Sequence, residues 1–215
     1  MKYIALLRGI NISGKNKISM SELKSELEKN NYRNVSTYLN SGNVIFDSEI
    51  DNKEAIIKDI YEIIENKFNL EIPIFIMTAF ELEDILINNP KWWGTDNKEI
   101  YDNLIFIIPP AKYEEVYNAL GPPREDIEKI KEYNNSVFWS YDLKNYRKSK
   151  WWSKTAGAGI KDKIKEYNNS VFWSYDLKNY RKSKWWSKTA GAGIKDKITI
   201  RTANTMKKVL ELCKR

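Results

Sequence analysis

Residues Ile130–Lys163 recur without change as Ile164–Lys197, each reading IKEYNNSVFWSYDLKNYRKSKWWSKTAGAGIKDK. No other feature of the chain restricts its fold so strongly. A 34-residue period suits helical solenoids, but those need about three or more drifting copies with atypical caps. Here two identical copies stand alone. Each also carries Asn-Asn-Ser between KIKEY and VFWSY, which reads as two short strands around a turn rather than a helix pair. The repeat is therefore read as a recent tandem duplication. Excising one copy leaves 181 residues of the 215 and joins Lys-Asp-Lys directly to Ile198-Thr-Ile-Arg.

The duplication changes what the composition means. The chain carries a formal charge of +7, which would ordinarily suggest a polyanion partner. Each copy holds eight Lys or Arg against three Asp or Glu, so the two copies supply +10 and the rest sums to −3. A single-copy chain would carry only +2, and six of the eight Trp lie in the repeats. Nucleic acid is therefore a disfavoured partner. A chain lacking Ile164–Lys197 is expected not to bind mixed-sequence DNA appreciably at physiological salt, because non-specific affinity follows the number of neutralised phosphates. Tight, salt-steep binding in an anisotropy titration would instead put nucleic acid first.

There is no His, which excludes Ser-His-Asp and Cys-His catalysis and His-ligated metals. The single cysteine, Cys213, excludes an internal disulfide or a Cys-rich zinc site. No metal site is expected. A reducing, cytoplasmic compartment fits this usage. The apolar run after Met1 is too short for a signal peptide, and no run approaches a membrane span.

Apolar spacing sets out the elements. Lys2–Arg8 reads as a buried strand, and Ser19 with Glu22 as a capping box before Met20, Leu23 and Leu27 at helical spacing. Val35–Leu39 and Asn43–Phe46 read as strands around Asn40-Ser-Gly42. Ile56, Ile60, Ile63, Ile64 and Phe68 make a helical stripe, and Ile72–Met77 a strand. Thr78 to Glu81 cap a third helix, followed by a polar linker over 91–100 carrying Trp92-Trp93. The pattern then restarts. Leu104–Ile108 is a strand, and Pro109-Pro110 opens a helix through Leu120. Ile127–Tyr133 and Val137–Tyr141 are strands, Leu143–Ala156 is a basic helix, Ile198–Arg201 is a strand, and Asn204 caps the last helix. The expected fold class is α+β: two ferredoxin-like (βαββαβ) units with mainly antiparallel sheets and packed helices, plus a duplicated ββα module. The units are placed at 1–90 and 101–215. One copy is expected to fill the single vacancy in the second sheet. The other is expected outside that core, where its exposed strand could promote self-association.

Gly9-Ile-Asn-Ile-Ser-Gly14-Lys15 has the spacing of a phosphate-binding loop, and Val44–Asp47 imitates a Walker B strand. Three features oppose nucleotide hydrolysis. Asn16 replaces the magnesium-ligating hydroxyl. The helix cap is Ser19, so the loop does not lead straight into the helix. The next two strands are close enough for a hairpin, whereas phosphate-loop sheets are parallel. A looser expectation remains, that glycines, lysines and backbone amides near a helix start hold an anion. Arg8, Asn11, Lys15, Lys17, Asn40 and Asn43 are the candidate anion-binding residues. For the Asn40–Asn43 segment the plain alternative is a tight turn. The Tyr-Arg-Lys-Ser-Lys-Trp-Trp run of each copy mixes base-stacking and phosphate-binding residue types. It also reads as a surface helix that buries its Trp and solvates its lysines.

MKYIALLRGIN, GKNKI and TYLNSGNVIF resemble the opening of the DUF1697 family of bacterial proteins, and ITIRTANTMKKVLEL resembles that family's closing segment. There the family pattern is Arg-Asn-Trp-Asn-Thr. Arg201, Asn204 and Thr205 match it, while Thr202 and Ala203 depart. The resemblance implies a small cytosolic bacterial protein and no particular chemistry. The leading expectation is a cytosolic protein that binds a small anion or nucleotide. The alternatives are an enzyme acting on a phosphorylated or carboxylated small molecule through Lys or a carboxylate, and a single-stranded nucleic-acid-binding module. No catalytic residue or cofactor is assigned.

Overall fold

A computed structural model describes residues 1–12, 14–152, 165–167, 170–172, 194 and 197–215. The chain divides into two compact units, Met1–Asn89 with Thr199–Arg215, and Pro90–Ile198. Among the described residues the fold is α+β with antiparallel sheets.

The first unit runs β1 (Lys2–Leu7), α1 (Met20–Lys29), β2 (Arg33–Tyr38), β3 (Asn43–Asp47), α2 (Lys53–Phe68), β4 (Ile74–Thr78) and α3 (Ala79–Ile87). The strand order is β2-β3-β1-β4, with antiparallel neighbours throughout. Tyr3, Ala5, Leu7, Val44 and Phe46 share a core with Leu23 and Leu27 of α1 and Ile56, Ile60 and Ile64 of α2. The alternate residues Ile4, Leu6 and Ile45 are also buried. Burial on both faces explains why β1 is one unbroken apolar run rather than an alternating one.

Helix ends follow local side-chain chemistry. Ser19 Oγ accepts the Glu22 N–H at 3.3 Å, and Asn52 Oδ1 accepts that of Ala55 at 3.0 Å. Thr78 and Glu81 form a reciprocal capping box on α3. The last helix, α6 (Ala203–Cys213), is capped by Thr202, whose Oγ1 accepts the Thr205 N–H at 3.2 Å, and not by Asn204 as expected. This helix was expected in a second unit over 101–215, yet it belongs with the first. Its Met206, Val209 and Cys213 are buried, and it packs against α3 and β3. There it covers a sheet face that would otherwise expose apolar surface.

The second unit contains β5 (Ile100–Ile107), α4 (Tyr113–Leu120), β6 (Glu128–Tyr133) and β7 (Ser136–Asp142). The other four-stranded sheet has the order β10-β5-β7-β6, where β10 is Ile198–Thr202. The Asn134-Asn135 turn has positive φ at both residues, 43° and 56°, as a two-residue hairpin with the twist of its strands requires. Trp93 in the polar linker is buried, donating Nε1–H to the Asn103 carbonyl at 2.7 Å with its ring edge-on to Phe138.

Two expected helices are shorter. Pro109-Pro110 lies in a turn closed by Ala111 N–H donating to the Ile108 carbonyl at 3.1 Å, Lys112 after it is extended, and α4 begins only at Tyr113. The expected helix over Leu143–Ala156 is a 3₁₀ turn (Tyr146–Lys148) and one α-turn, α5 (Lys150–Trp152). Ser149 between them is extended, and its hydroxyl accepts the Trp152 N–H at 2.8 Å, a local bond that competes with a continuous helix. Residues 153–156 lie outside the described residues. Trp151 is fully buried and donates to the Gly121 carbonyl at 2.7 Å, so in the first copy it is core and not a stacking platform.

The first copy supplies β7 and all of β6 but its first two residues, Glu128 and Lys129. In the second, β8 (Lys165–Tyr167) and β9 (Ser170–Phe172) pair as a separate two-stranded sheet. Their register, Lys165↔Phe172, Glu166↔Val171 and Tyr167↔Ser170, repeats Lys131↔Phe138, Glu132↔Val137 and Tyr133↔Ser136. The end of the second copy is also built in. Ile194 is buried, Lys197 N–H donates to its carbonyl at 2.9 Å, and the Lys197 carbonyl accepts Ile108 N–H at 2.7 Å. The second unit is thus filled by the head of one copy and the tail of the other. Trp173, the counterpart of Trp139, lies outside the described residues.

Candidate functional site

The segment after β1 closes on itself. Asn11 N–H donates to the Asn16 carbonyl at 3.0 Å, Lys15 N–H to that of Ile12 at 2.9 Å, and Asn16 Nδ2 to that of Gly9 at 3.0 Å. Gly9, Asn11, Gly14 and Asn16 all have positive φ, which explains the glycine and asparagine content. The amides of Asn11 and Lys15 are spent inside this small hairpin, and Lys17–Ser19 separate it from α1. It does not wrap a helix start as a phosphate-binding loop does, and the antiparallel β1–β3 pairing differs equally from that architecture.

Asn11 and Asn40, left apart by the sequence, come together. Asn11 Nδ2 donates to the Asn40 carbonyl at 3.0 Å and to that of Ile18 at 2.9 Å, while its Oδ1 accepts Ile18 N–H at 2.9 Å. Both amide hydrogens are used, so Asn11 ties two loops and has no donor left for a ligand. Beside this tie lies an open cleft of about 510 Å³, lined by Asn11, Gly14, Lys17, Ile18, Ser19, Met20, Ser21 and Asn40. It faces the start of α1. Ser19 Oγ lies 3.0 Å from Ser21 Oγ. With Glu22 N–H capped, the amides of Met20 and Ser21 are those without an intrahelical acceptor.

Of the six candidates, Asn11, Lys17 and Asn40 line this cleft. Lys15 is exposed on the hairpin, and Arg8 is half-buried at the end of β1, where its N–H donates to the Pro73 carbonyl at 2.9 Å. Asn43 is fully buried instead. Its Nδ2 donates to the Tyr38 carbonyl at 2.8 Å and to Ser41 Oγ at 3.0 Å, and its Oδ1 accepts Arg201 Nε–H at 2.6 Å.

Arg201 is no candidate from loop chemistry, yet it holds this end of the sheet. It is 8% exposed. Nη2 donates to the carbonyls of Leu7 and Ser41, each at 2.9 Å, and Nη1 to Thr199 Oγ1 at 2.9 Å and the Ile200 carbonyl at 2.8 Å. Burial pushes its guanidinium down to about 10, so it stays charged at neutral pH. The fork satisfies the end of β1 and the turn between β2 and β3 together. Its only sequence signal is its place in the closing motif. Cys213 is buried and its thiol is pushed up to about 11 by burial, which keeps it from serving as a thiolate nucleophile. Among the described residues no cluster of His, Cys, Asp or Glu could hold a metal ion, and no helix is long and apolar enough to cross a membrane.

No curated protein matches the chain. The structure of conserved bacterial protein SP0830 from Streptococcus pneumoniae is similar at 22% identity with a TM-score of 0.67, over 99% of this chain and 98% of that one. At that identity the likeness concerns the fold. The family described as protein of unknown function (DUF1697) matches residues 1–138. That match contains the whole cleft and ends on β7 in the first copy, so the closing segment with Arg201 lies beyond it. With 1–138 matched, the chain belongs to the DUF1697 family.

Proposed function

We propose that this is a cytosolic bacterial protein binding a small anion, the phosphate or carboxylate of a metabolite or nucleotide, at the start of α1. The observation that carries this reading is the cleft of about 510 Å³ at that helix end. Lys17, the Ser19 and Ser21 hydroxyls and the Met20 and Ser21 amides are its donors, where the helix dipole also favours negative charge. Asn11 and Asn40 act as the wall that holds the two loops together, and Lys15 adds charge from the hairpin. The strand order β2-β3-β1-β4, repeated as β6-β7-β5-β10, supports two ferredoxin-like units as the scaffold.

Inorganic phosphate is the first probe. At 100 times its dissociation constant it should stabilise the native state by about 2.7 kcal/mol, a rise of several degrees in a thermal scan. Changing Lys15 and Lys17 together to Ala is expected to abolish that rise while leaving the unliganded midpoint nearly unchanged. Undiminished stabilisation in the double variant would remove this loop from consideration.

A further inference from the structure

We infer that the two copies are interchangeable occupants of one place in the second sheet, so that the β8–β9 hairpin can replace β6–β7 within the same chain. The replacement hairpin has the same sequence and the same strand register as the one it displaces. The place is already shared, since Ile194 and Lys197 of the second copy close it against Ile108. Exchange therefore changes only which head is used. The surplus stays at 34 residues, moving from between the head and the tail to before the head, so the loop-closure cost is similar in both states.

The two states differ at the junction. Glu128-Lys129 precede the first copy, and Asp162-Lys163 precede the second. Glu128 is buried, with Oε2 accepting Trp139 Nε1–H and Oε1 accepting Arg124 N–H, both at 3.3 Å. Asp162 is one methylene shorter and would reach the indole less well, and Arg124, four residues before Glu128, does not precede it in the same turn. This buried carboxylate biases the chain toward the first copy without excluding the second. A replacement head on the same chain also has a high effective concentration, which favours exchange within a molecule over exchange between molecules.

The test uses the full chain with Phe138→Asp, Phe172→Asp, and both together. Phe138 is fully buried against Trp93, a setting that does not accept an unpaired carboxylate. All eight Trp lie between 92 and 186, so their fluorescence follows the second unit. Each single variant should keep a cooperative fluorescence transition with its midpoint within roughly 5 °C of the parent. The double variant should lose that transition. Loss of the transition in Phe138→Asp alone would overturn the inference, and so would its survival in the double variant. Rescue that appears only with a concentration-dependent dimer in sedimentation would overturn it in favour of exchange between chains.

Discussion

Replacing Arg201 with Ala is expected to destabilise the first unit by about 3–5 kcal/mol. The change removes a buried stem, strands Asn43 Oδ1 and leaves the Leu7 carbonyl without its guanidinium donor, while the Ser41 carbonyl of an exposed turn passes to water. Each orphaned buried acceptor costs about 1–3 kcal/mol, partly relieved where water enters the space left behind. Arg201→Lys should recover only part of the loss, because one ammonium cannot reproduce a planar fork directed at Asn43, the end of β1, the turn at Ser41 and Thr199. Among the described residues, helices α1, α2, α3 and α6 lie in the first unit and only α4 and α5 in the second. Far-UV circular dichroism in urea therefore follows the first unit, while tryptophan fluorescence follows the second. A loss below about 1 kcal/mol in the dichroism transition would show that the clamp contributes little.

Gly42→Ala should cost about 2–5 kcal/mol, for two separable reasons. Gly42 has φ +78°, where an L residue is strained by roughly 1–2 kcal/mol. An added Cβ would also fall 2.6 Å from Leu7 Cβ and 3.0 Å from Ile10 Cδ1. Leu7 Cβ is fixed to a central strand, so the turn itself must move, and overpacking of this kind costs about 1–3 kcal/mol more. Gly14→Ala is the control. Its φ of +77° is nearly the same, but nothing lies within 4 Å of an added Cβ. It should cost only the strain. Equal losses at the two positions in urea titrations would mean that the close approach to Leu7 is relieved without penalty.

The strand and helix order was readable because its signals are local. Leu23 and Leu27, or Ile56, Ile60 and Ile64, show helical spacing within a few residues, and every one of them is buried. Thr78 with Glu81 and the Asn134-Asn135 turn likewise carry their geometry in adjacent side chains. The boundaries that shifted were set by short-range competition that periodicity does not register: the prolines before α4, the Ser149 hydroxyl, and Thr202 taking the cap from Asn204.

The site was legible only in part. Glycines, asparagines and lysines marked a loop near a helix start, but not what each side chain does. Whether the loop after β1 meets the Asn40 turn depends on pairing between β1 and β3, and the Asn11–Asn40 bond exists only once that sheet is formed. Arg201 and Asn43 are 158 residues apart, and no local pattern announces a clamp between them. The packing of α6 was equally out of reach, since its apolar face reads the same whichever sheet it covers.

The sequence by itself determined that the chain carries two identical modules, whose identical side chains have identical local preferences. Tertiary structure decided the outcome, joining the head of the first copy to the tail of the second. The reason is connectivity. β6 begins at Glu128, whose buried carboxylate meets Trp139, and β10 follows Lys197, whose carbonyl meets Ile108. Those two anchors lie at opposite ends of the repeated stretch, so no property of either copy taken alone could have fixed which head and which tail the second unit uses.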